Sequence, residues 1–299
     1  MLLKGNSRGI ASNYPMAEKG VGRRIWELDF LRGFTIILMC IDHLMFDLSE
    51  MFADTWKAQG GAAAAIAHFA EMWWGGKSNW VGHTRDIIQV IAWCVFFGLC
   101  GGSTIFSRDN LTRTMKTMIA AAIITVGTYL ASVLDIIGQA DIITFGVLHM
   151  LSLATLIVSG VYALSRLAKE KGDLVFFISC ALLSGGVFLA NYLMNQADLT
   201  PNPVWMFLHY GFAAGVGIYS DYFTLFPYLG YVFAGAAVIV LVYGSGKSLL
   251  PKWDGKWNRP FRFVGRHTLW VVVIHQVVNM LLLAVITAIF VDSGNFVIF

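Results

Sequence analysis

The chain has 299 residues, of which 57% are hydrophobic and only 13% are charged. Soluble domains carry about 25% charged residues, and a mean hydropathy of +0.67 together with 22 Phe, 10 Trp and 12 Met is more apolar surface than one aqueous core of this size can bury. The composition therefore excludes a soluble domain and predicts a protein embedded in a lipid bilayer, while a net charge of only +3 excludes a nucleic-acid binder.

The N-terminal segment 1–27 is polar and contains five basic residues ahead of the first hydrophobic run. That run is too long for the hydrophobic region of a signal peptide, so we expect no cleavable signal and a cytoplasmic segment over 1–27.

Seven apolar stretches follow, each of about 20 residues, the length that a helix needs to cross the hydrocarbon core. They lie at 28–48, 86–106, 117–137, 144–165, 174–194, 223–243 and 265–290. An eighth stretch, 205–219, has only 15 residues and is rich in glycine. The sequence therefore predicts an all-α, polytopic membrane helix bundle over 28–290, with seven clear spans and one short re-entrant or surface segment.

The placement of Lys and Arg predicts the orientation, because cytoplasmic loops are enriched in both residues. With a cytoplasmic N-terminus and seven crossings, most of the 21 basic residues lie on the inner side. If 205–219 also crossed, the basic loop 247–262 would be exported, so we expect 205–219 to stay on the outer side. The protein is accordingly expected in the cytoplasmic (inner) membrane, with a short outer C-terminal tail at 291–299.

The four cysteines, at positions 40, 94, 100 and 180, all lie inside apolar runs and form no CxxC pair. This pattern supports neither a disulfide framework nor a zinc site, and no metal is expected.

The long outer loop, 49–85, contains four Trp together with His68 and His83. One interpretation is an aromatic belt at the level of the lipid headgroups. The other is a lid whose rings stack on a sugar-like substrate. The sequence leaves both open.

The first span carries ionisable residues on one helix face, which is costly in a membrane unless they face a cavity or a bundle interior. Residues on this face are Asp29, Arg32, Cys40, His43 and Asp47. Arg32 and His43 are about 20° apart around the helix axis and about 16 Å apart along it. Asp29 is spaced to orient Arg32, and Asp47 is spaced to pair with His43, whereas Asp42 points elsewhere.

Two further spans repeat the polar pattern. His149, Ser152 and Ser159 share a face of the fourth span, and Thr268, His275 and Asn279 share a face of the last. Histidines on three spans predict a polar cavity inside the membrane. Taken singly, each residue also has a plainer interpretation: Arg32 could extend to the inner boundary, and His43 could be a satisfied buried polar group.

Five stretches occur in an order that resembles one known family. They are Arg24–Gly33 continuing to His43, Phe97–Ser103, Phe145–His149, Asp221–Gly230 and Gly265–Gln276. Together they resemble the bacterial membrane proteins that are similar to the heparan-alpha-glucosaminide N-acetyltransferase catalytic domain, over about residues 23–290. The spacing from Leu-Arg-Gly to His is also similar to that of the membrane O-acyltransferases that decorate bacterial surface polysaccharides.

The resemblance implies an acyltransferase that takes an acetyl group from cytoplasmic acetyl-CoA and gives it to a hydroxyl or amine of an outer acceptor, a glycan or small amino sugar. On this interpretation Arg32 and Asp29 bind the donor, and His43 is the general base with Asp47 as its orienter. His149, His275, Asp221 and Asn279 are then candidates for substrate contact or oxyanion stabilisation.

One departure from the family concerns the catalytic histidine of the animal enzyme, which lies in the loop before the second span and aligns clearly with neither His68 nor His83. Two other function classes also stay open. A transporter or flippase for a polar solute or lipid-linked sugar would use the histidines as proton relays, although no inverted repeat is visible. A non-catalytic subunit would use the polar stripes to hold helices together.

Several properties are not specified by the sequence. They are the acceptor, N- versus O-acylation, the acyl chain length, direct transfer versus an acyl-histidine intermediate, and whether the protein is a homo-oligomer.

Overall fold

The structure, a computed structural model, describes residues 25–107, 109–135, 137–213 and 221–291. The predicted N-terminal segment up to residue 24 and the tail from residue 292 lie outside the described residues. Every regular element in the described part of the chain is helical, and the all-α class is therefore confirmed.

The long helices follow the apolar stretches of the sequence. The α-helices of the described ranges are α1 (Trp26–Asp47), α2 (Ala53–Gln59), α3 (Gly61–Trp74), α4 (Trp80–Phe106), α5 (Asn110–Val133), α6 (Val147–Ser165), α7 (Gly172–Gln196), α8 (Leu225–Tyr243), α9 (Arg259–Arg266) and α10 (Thr268–Ile286). Two π-helical segments, Leu48–Phe52 and Thr287–Val291, continue α1 and α10. Each predicted span overlaps one of the long helices, in order α1, α4, α5, α6, α7, α8 and α10.

Five helical stretches of the described chain are long and apolar enough to cross a membrane. They are α4, α5, the continuous stretch 147–196 that contains α6 and α7, α8, and α10 with its π-helical extension. Within 147–196 the backbone leaves the helical conformation at Lys169, which has a φ of 52° and a ψ of −116°. Helix α1 is absent from this set because every stretch of 18 residues within it contains at least three charged side chains. An integral membrane protein is thus supported by five stretches.

Helix α5 shows most clearly that the outer surface of the bundle is built for lipid. Only 6% of its most apolar stretch of 18 residues is buried inside the protein. Its exposed side chains include Leu111, Ile119, Ile123 and Val126. Because lipid tails accept such side chains as readily as a protein core does, an apolar exterior of this kind belongs in a bilayer.

The centre of the bundle lies between α4 and α8, where glycines let two backbones approach closely. A Cβ on Gly235 would lie 2.0 Å from the Cα of Gly98, and a Cβ on Gly101 would lie 2.0 Å from the carbonyl oxygen of Val232. Small residues at helix contacts are the usual basis of tight packing in membranes. Phe97 and Phe233 are fully buried beside this contact.

A second close contact joins the start of α1 to the short helix α9. A Cβ on Gly33 would lie 1.8 Å from the carbonyl oxygen of Phe261, and one on Gly265 would lie 1.9 Å from that of Asp29. Glu27 strengthens the junction by accepting hydrogen bonds from Ser248 Oγ at 2.6 Å and from the Leu250 amide at 2.8 Å. These contacts fix α10, which follows α9 directly, beside α1.

The loop 49–85 is helical over much of its length and packs back onto the bundle. Trp56 is buried and donates a hydrogen bond from Nε1 to Thr287 Oγ1 at 2.7 Å, whereas Trp80 is 77% exposed. His68 is exposed and lies 3.2 Å from Glu71. The aromatic residues of this loop therefore divide between a packed group and an exposed one.

The short stretch 205–219 is described only as far as residue 213. Residues 203–208 form turns, and Tyr210–Ala213 forms a single turn of 3₁₀-helix. No membrane-spanning helix forms in this part, while residues 214–219 lie outside the described ranges.

Candidate active site

A histidine pair joins α1 to α10. His43 Nδ1 lies 2.7 Å from His275 Nε2, and the two rings stack with their centroids 4.9 Å apart and an angle of 25° between their planes. His275 Nδ1 lies 2.7 Å from the carbonyl oxygen of Val272. The two histidines come from the first and last long helices, so only the fold brings them together.

The hydrogen bonds define the tautomers of the neutral pair. A carbonyl oxygen can only accept, so His275 carries its proton on Nδ1 and offers Nε2 as an acceptor. His43 must then donate from Nδ1, which leaves the lone pair on its own Nε2. Nε2 of His43 makes no hydrogen bond within the described part of the chain. The arrangement leaves the lone pair of His43 Nε2 without a partner in the described chain, and the second imidazole sets its tautomer.

Two amide side chains of α10 fix the same helix contact. Gln276 Nε2 donates to Asp47 Oδ1 at 2.7 Å, and Asn279 Nδ2 donates to the carbonyl oxygen of Cys40 at 3.1 Å. The predicted contact of Asp47 with His43 is therefore replaced by a contact with Gln276. The spacing of the two residues on one helix permits their pairing, but the packed neighbour α10 supplies closer partners for both.

Asp42 and Arg85 both lie close enough to His43 for their charges to act on its ring. Arg85 on α4 binds Asp42 through two nitrogens, Nε at 2.7 Å and Nη2 at 2.6 Å. Trp73 Nε1 donates to the same carboxylate at 2.9 Å, and the Arg85 guanidinium lies 3.7 Å from the ring centroid of Trp74. The outer loop 49–85 is therefore connected to the site of the two histidines by the ion pair of Arg85 with Asp42.

Arg85 and Asp42 were not identified as a site from the sequence. Asn79 caps α4 by accepting from the Gly82 amide at 2.9 Å, so the helix begins before the predicted span and carries Arg85 inward, where it is only 6% exposed. A sequence signal did exist: an arginine directly ahead of one apolar run, and an aspartate beside a histidine within another.

The opposite end of α1 carries a network of charges around Asp29. Arg32 Nη1 lies 3.3 Å from Asp29 Oδ1 and 3.4 Å from the carbonyl oxygen of Gly265. Arg266 Nε lies 3.1 Å from Asp29 Oδ2. The predicted contact between Asp29 and Arg32 is present, and the Arg32 side chain is mostly buried.

A further arginine, Arg113 on α5, lies close enough to Arg32 for their charges to repel. Arg113 Nη1 donates to Ser103 Oγ at 2.8 Å, and its Nη2 is buried without a hydrogen-bond partner in the described residues. Arg32 already shares the Asp29 carboxylate with Arg266, and no ion pair involves Arg113 in the described residues, so positive charge is left unbalanced here. The sequence placed Arg113 among the residues that the positive-inside rule explains, and only the packing of α5 turns it inward.

His149 and Asp221 form a separate group at the start of α6. Asp221 Oδ2 accepts from the Val147 amide at 3.2 Å. His149 Nδ1 accepts from the Gly146 amide at 3.3 Å, and its Nε2 lies 3.4 Å from Thr125 Oγ1. Both residues satisfy donors at a helix terminus, which is a structural role. Of the four predicted substrate contacts, the structure joins His275 and Asn279 to α1 and leaves His149 and Asp221 apart from it.

The chemistry of the groups distinguishes the two ends of α1. The end with Arg32 and Arg113 offers guanidinium donors that suit a phosphate, and the end with His43 offers a directed base. Within the described ranges, no cluster of three His, Cys, Asp or Glu side chains could hold a metal ion.

Comparison with known proteins gives one match. A family model described as heparan-alpha-glucosaminide N-acetyltransferase, catalytic, matches residues 24–277. The matched region runs from the start of α1 into α10 and includes both His43 and His275. No curated protein and no solved structure matches the chain.

Proposed function

Because the chain belongs to the heparan-alpha-glucosaminide N-acetyltransferase catalytic family, we propose that it transfers an acetyl group from acetyl-CoA to a hydroxyl or amine on the other side of the membrane. The acceptor is a carbohydrate on this proposal. The observation that carries it is the contact of 2.7 Å between His43 and His275, which leaves a directed base inside a bundle that the family match identifies as acetyltransferase-like.

The donor would bind along α1. Arg32 and Arg113 would hold the phosphates of CoA, since guanidinium groups bind phosphate oxygens in a planar, charge-assisted geometry. His43 is about 16 Å farther along the helix, a distance that the extended pantetheine arm can cover. The thioester would then lie beside the histidine pair while the nucleotide stays at the start of α1.

In the transfer step, the acceptor oxygen or nitrogen attacks the carbonyl carbon of the thioester. His43 Nε2 takes the proton from the attacking group, and the new C–O or C–N bond forms. The C–S bond then breaks, the sulfur leaves with the electron pair of that bond, and His43 gives the proton that it took to the thiolate, which regenerates the neutral imidazole. General-base assistance of this kind contributes about 10²–10⁴-fold to a rate.

His275 would position His43 rather than contact the reacting atoms. Its Nε2 accepts a hydrogen bond from Nδ1–H of His43 and holds the ring in the tautomer that the reaction requires. Asp42, held in turn by Arg85, would stabilise the imidazolium that forms when His43 takes a proton. On this assignment, Asp47 contributes through the contact with Gln276 that aligns α1 with α10.

We also propose the topology that places the two ends of α1 on opposite sides. Helices α1, α4, α5, α6, α7, α8 and α10 each cross once, and the domain covers 28–290. The N-terminus is cytoplasmic in the inner membrane, because this orientation keeps most Lys and Arg on the cytoplasmic side. The charges of α1 are compatible with a crossing, since their partners lie within the bundle.

Proteoliposomes test the proposal directly. The purified protein is reconstituted with labelled acetyl-CoA on one side and glucosamine on the other, and both thiol release and labelled acceptor are measured. We expect both signals from the native chain and neither from His43→Ala, with an unchanged thermal unfolding midpoint. The variants His68→Ala and His83→Ala are the matched controls and should retain activity.

Two results would overturn the assignment. One is full activity in His43→Ala with loss in His83→Ala, which would move the base to the outer loop. The other is acceptor flux across the bilayer without any acyl donor and without thiol release, which would identify a transporter.

A further inference from the structure

Helix α9 presents a basic and aromatic face away from the bundle. Its opposite face carries Phe261 and Gly265, which pack against α1. The outward face carries Arg259, Arg262, Phe263 and Arg266, spaced three or four residues apart. Residues at this spacing lie on one side of a helix. The face is therefore directed at whatever surrounds the protein at this end of α1.

A cavity of about 350 Å³ lies on this face and is lined by Arg259, Arg262, Phe263, Arg266 and His267. His267 Nδ1 lies 2.8 Å from the carbonyl oxygen of Phe263, and the two rings lie 4.4 Å apart. One wall of the cavity is thus aromatic, and the rest is formed by arginines.

The charges around the cavity are not balanced. Arg262 binds Asp254, and Arg266 binds Asp29. In the part of the chain that the structure describes, the ion pairs of this region leave Arg259 without a carboxylate partner. Guanidinium donors without a carboxylate partner recruit anions with several oxygens. The cavity therefore favours a phosphate.

The surroundings of the cavity indicate where that phosphate comes from. Phe263 is 63% exposed, and Trp270, which follows on the first turns of α10, is 66% exposed. Trp253 and Trp257 are also exposed in the segment before α9. Aromatic side chains beside arginines are typical of the level of lipid headgroups. Apolar side chains that face outward at this level can pack against acyl chains, which a soluble nucleotide lacks.

We propose that this cavity is a binding site for the headgroup of an anionic phospholipid. The phosphodiester would lie among Arg259, Arg262 and Arg266, and the acyl chains would lie along Phe263 and Trp270. Arg266 also contacts Asp29, so the lipid site adjoins the charge network at the start of α1. The site does not depend on the proposed acetyl transfer.

Native mass spectrometry of the purified chain tests the site, with phosphatidylglycerol and phosphatidylcholine as probes. We expect preferential retention of phosphatidylglycerol and a loss of about fivefold in its affinity for Arg259→Gln, since one cation near a lipid surface contributes about 1 kcal/mol. Lys171→Gln removes a positive charge from the exposed segment between α6 and α7 and is the matched control. It should bind phosphatidylglycerol as the native chain does.

Two outcomes would overturn the proposal. Equal loss of phosphatidylglycerol from both variants would show that the contribution of Arg259 is only that of general surface charge. Binding of adenosine 3′,5′-bisphosphate that Arg259→Gln abolishes, with phosphatidylglycerol binding unchanged, would assign the cavity to a soluble nucleotide. The readout is binding, so failure of the acetyl transfer assay leaves this test intact.

Discussion

His43 Nδ1 lies 2.7 Å from His275 Nε2 although the two residues are 232 positions apart in the chain. His275 in turn contacts the carbonyl oxygen of Val272 through Nδ1. The direction of the second hydrogen bond fixes that of the first, because a carbonyl oxygen accepts and cannot donate. The nitrogen of His43 that keeps its lone pair is thus determined by a backbone carbonyl of another helix.

The first prediction concerns His275 as a positioning residue. His275→Phe keeps a ring but removes the acceptor for His43 Nδ1, so we expect kcat for acetyl transfer to fall about 10²-fold, the lower range for a misdirected general base. KM for acetyl-CoA should stay unchanged because the donor's phosphates bind elsewhere. His275→Gln restores an acceptor oxygen and should recover part of kcat. An equal loss in both variants would contradict a role through hydrogen bonding.

The second prediction concerns the binding of the donor by Arg113. Arg113→Gln removes a guanidinium with one buried nitrogen that lacks a partner in the described chain. We expect KM for acetyl-CoA to rise about tenfold, the equivalent of 1.4 kcal/mol, with kcat retained. Lys116→Gln, three residues later on the exposed side of α5, should leave KM unchanged. A fall in kcat without a change in KM would remove Arg113 from the donor site.

The third prediction concerns the stability that the pair of Asp42 and Arg85 provides. Arg85→Ala leaves a mostly buried carboxylate without its cation, and we expect a loss of about 3 kcal/mol in the free energy of unfolding. Arg85→Lys should restore only part of it, because an ammonium cannot form the two parallel contacts. Denaturant unfolding in detergent, followed by tryptophan fluorescence, measures the difference. Equal stability of Arg85→Lys and the native chain would show that the paired geometry is unimportant.

The fourth prediction concerns the contact of α1 with α9. Gly33→Ala would place a methyl group 1.8 Å from a backbone carbonyl oxygen, and we expect a loss of about 1–3 kcal/mol from overpacking. Gly127 on α5 has open space around it. Gly127→Ala should therefore be neutral or stabilise the chain by up to about 1 kcal/mol. A thermal shift of the same sign and size in the two variants would disprove the close contact.

The long helices could be predicted well from the sequence, because each one coincides with an apolar run of the length that a helix needs to cross the bilayer. The boundaries were less accurate. Helix α4 begins at Trp80 rather than near residue 86, since Asn79 caps it. The contact between Arg32 and Asp29 was also predictable, because both residues lie on one helix and their spacing alone brings them within reach.

The partners of His43 and Asp47 could not be predicted in the same way. Their spacing on α1 permits a contact, yet His43 contacts His275, and Asp47 contacts Gln276. The helical periodicity places Asp42 on a different face of α1 from His43. On that face, Asp42 forms an ion pair with Arg85 of α4. Spacing within a helix gives directions, but it does not say which other helix lies in each direction.

The amino-acid sequence by itself determined the membrane location, the helical class and the face of α1 that carries Arg32 and His43. These properties follow from hydropathy and from a fixed rotation per residue, which are local. The tertiary structure alone decided that His275 contacts His43, that Arg85 binds Asp42, and that Arg113 lies near Arg32. Each of these contacts joins two helices, and the packing of glycines and bulky side chains between helices determines which faces meet.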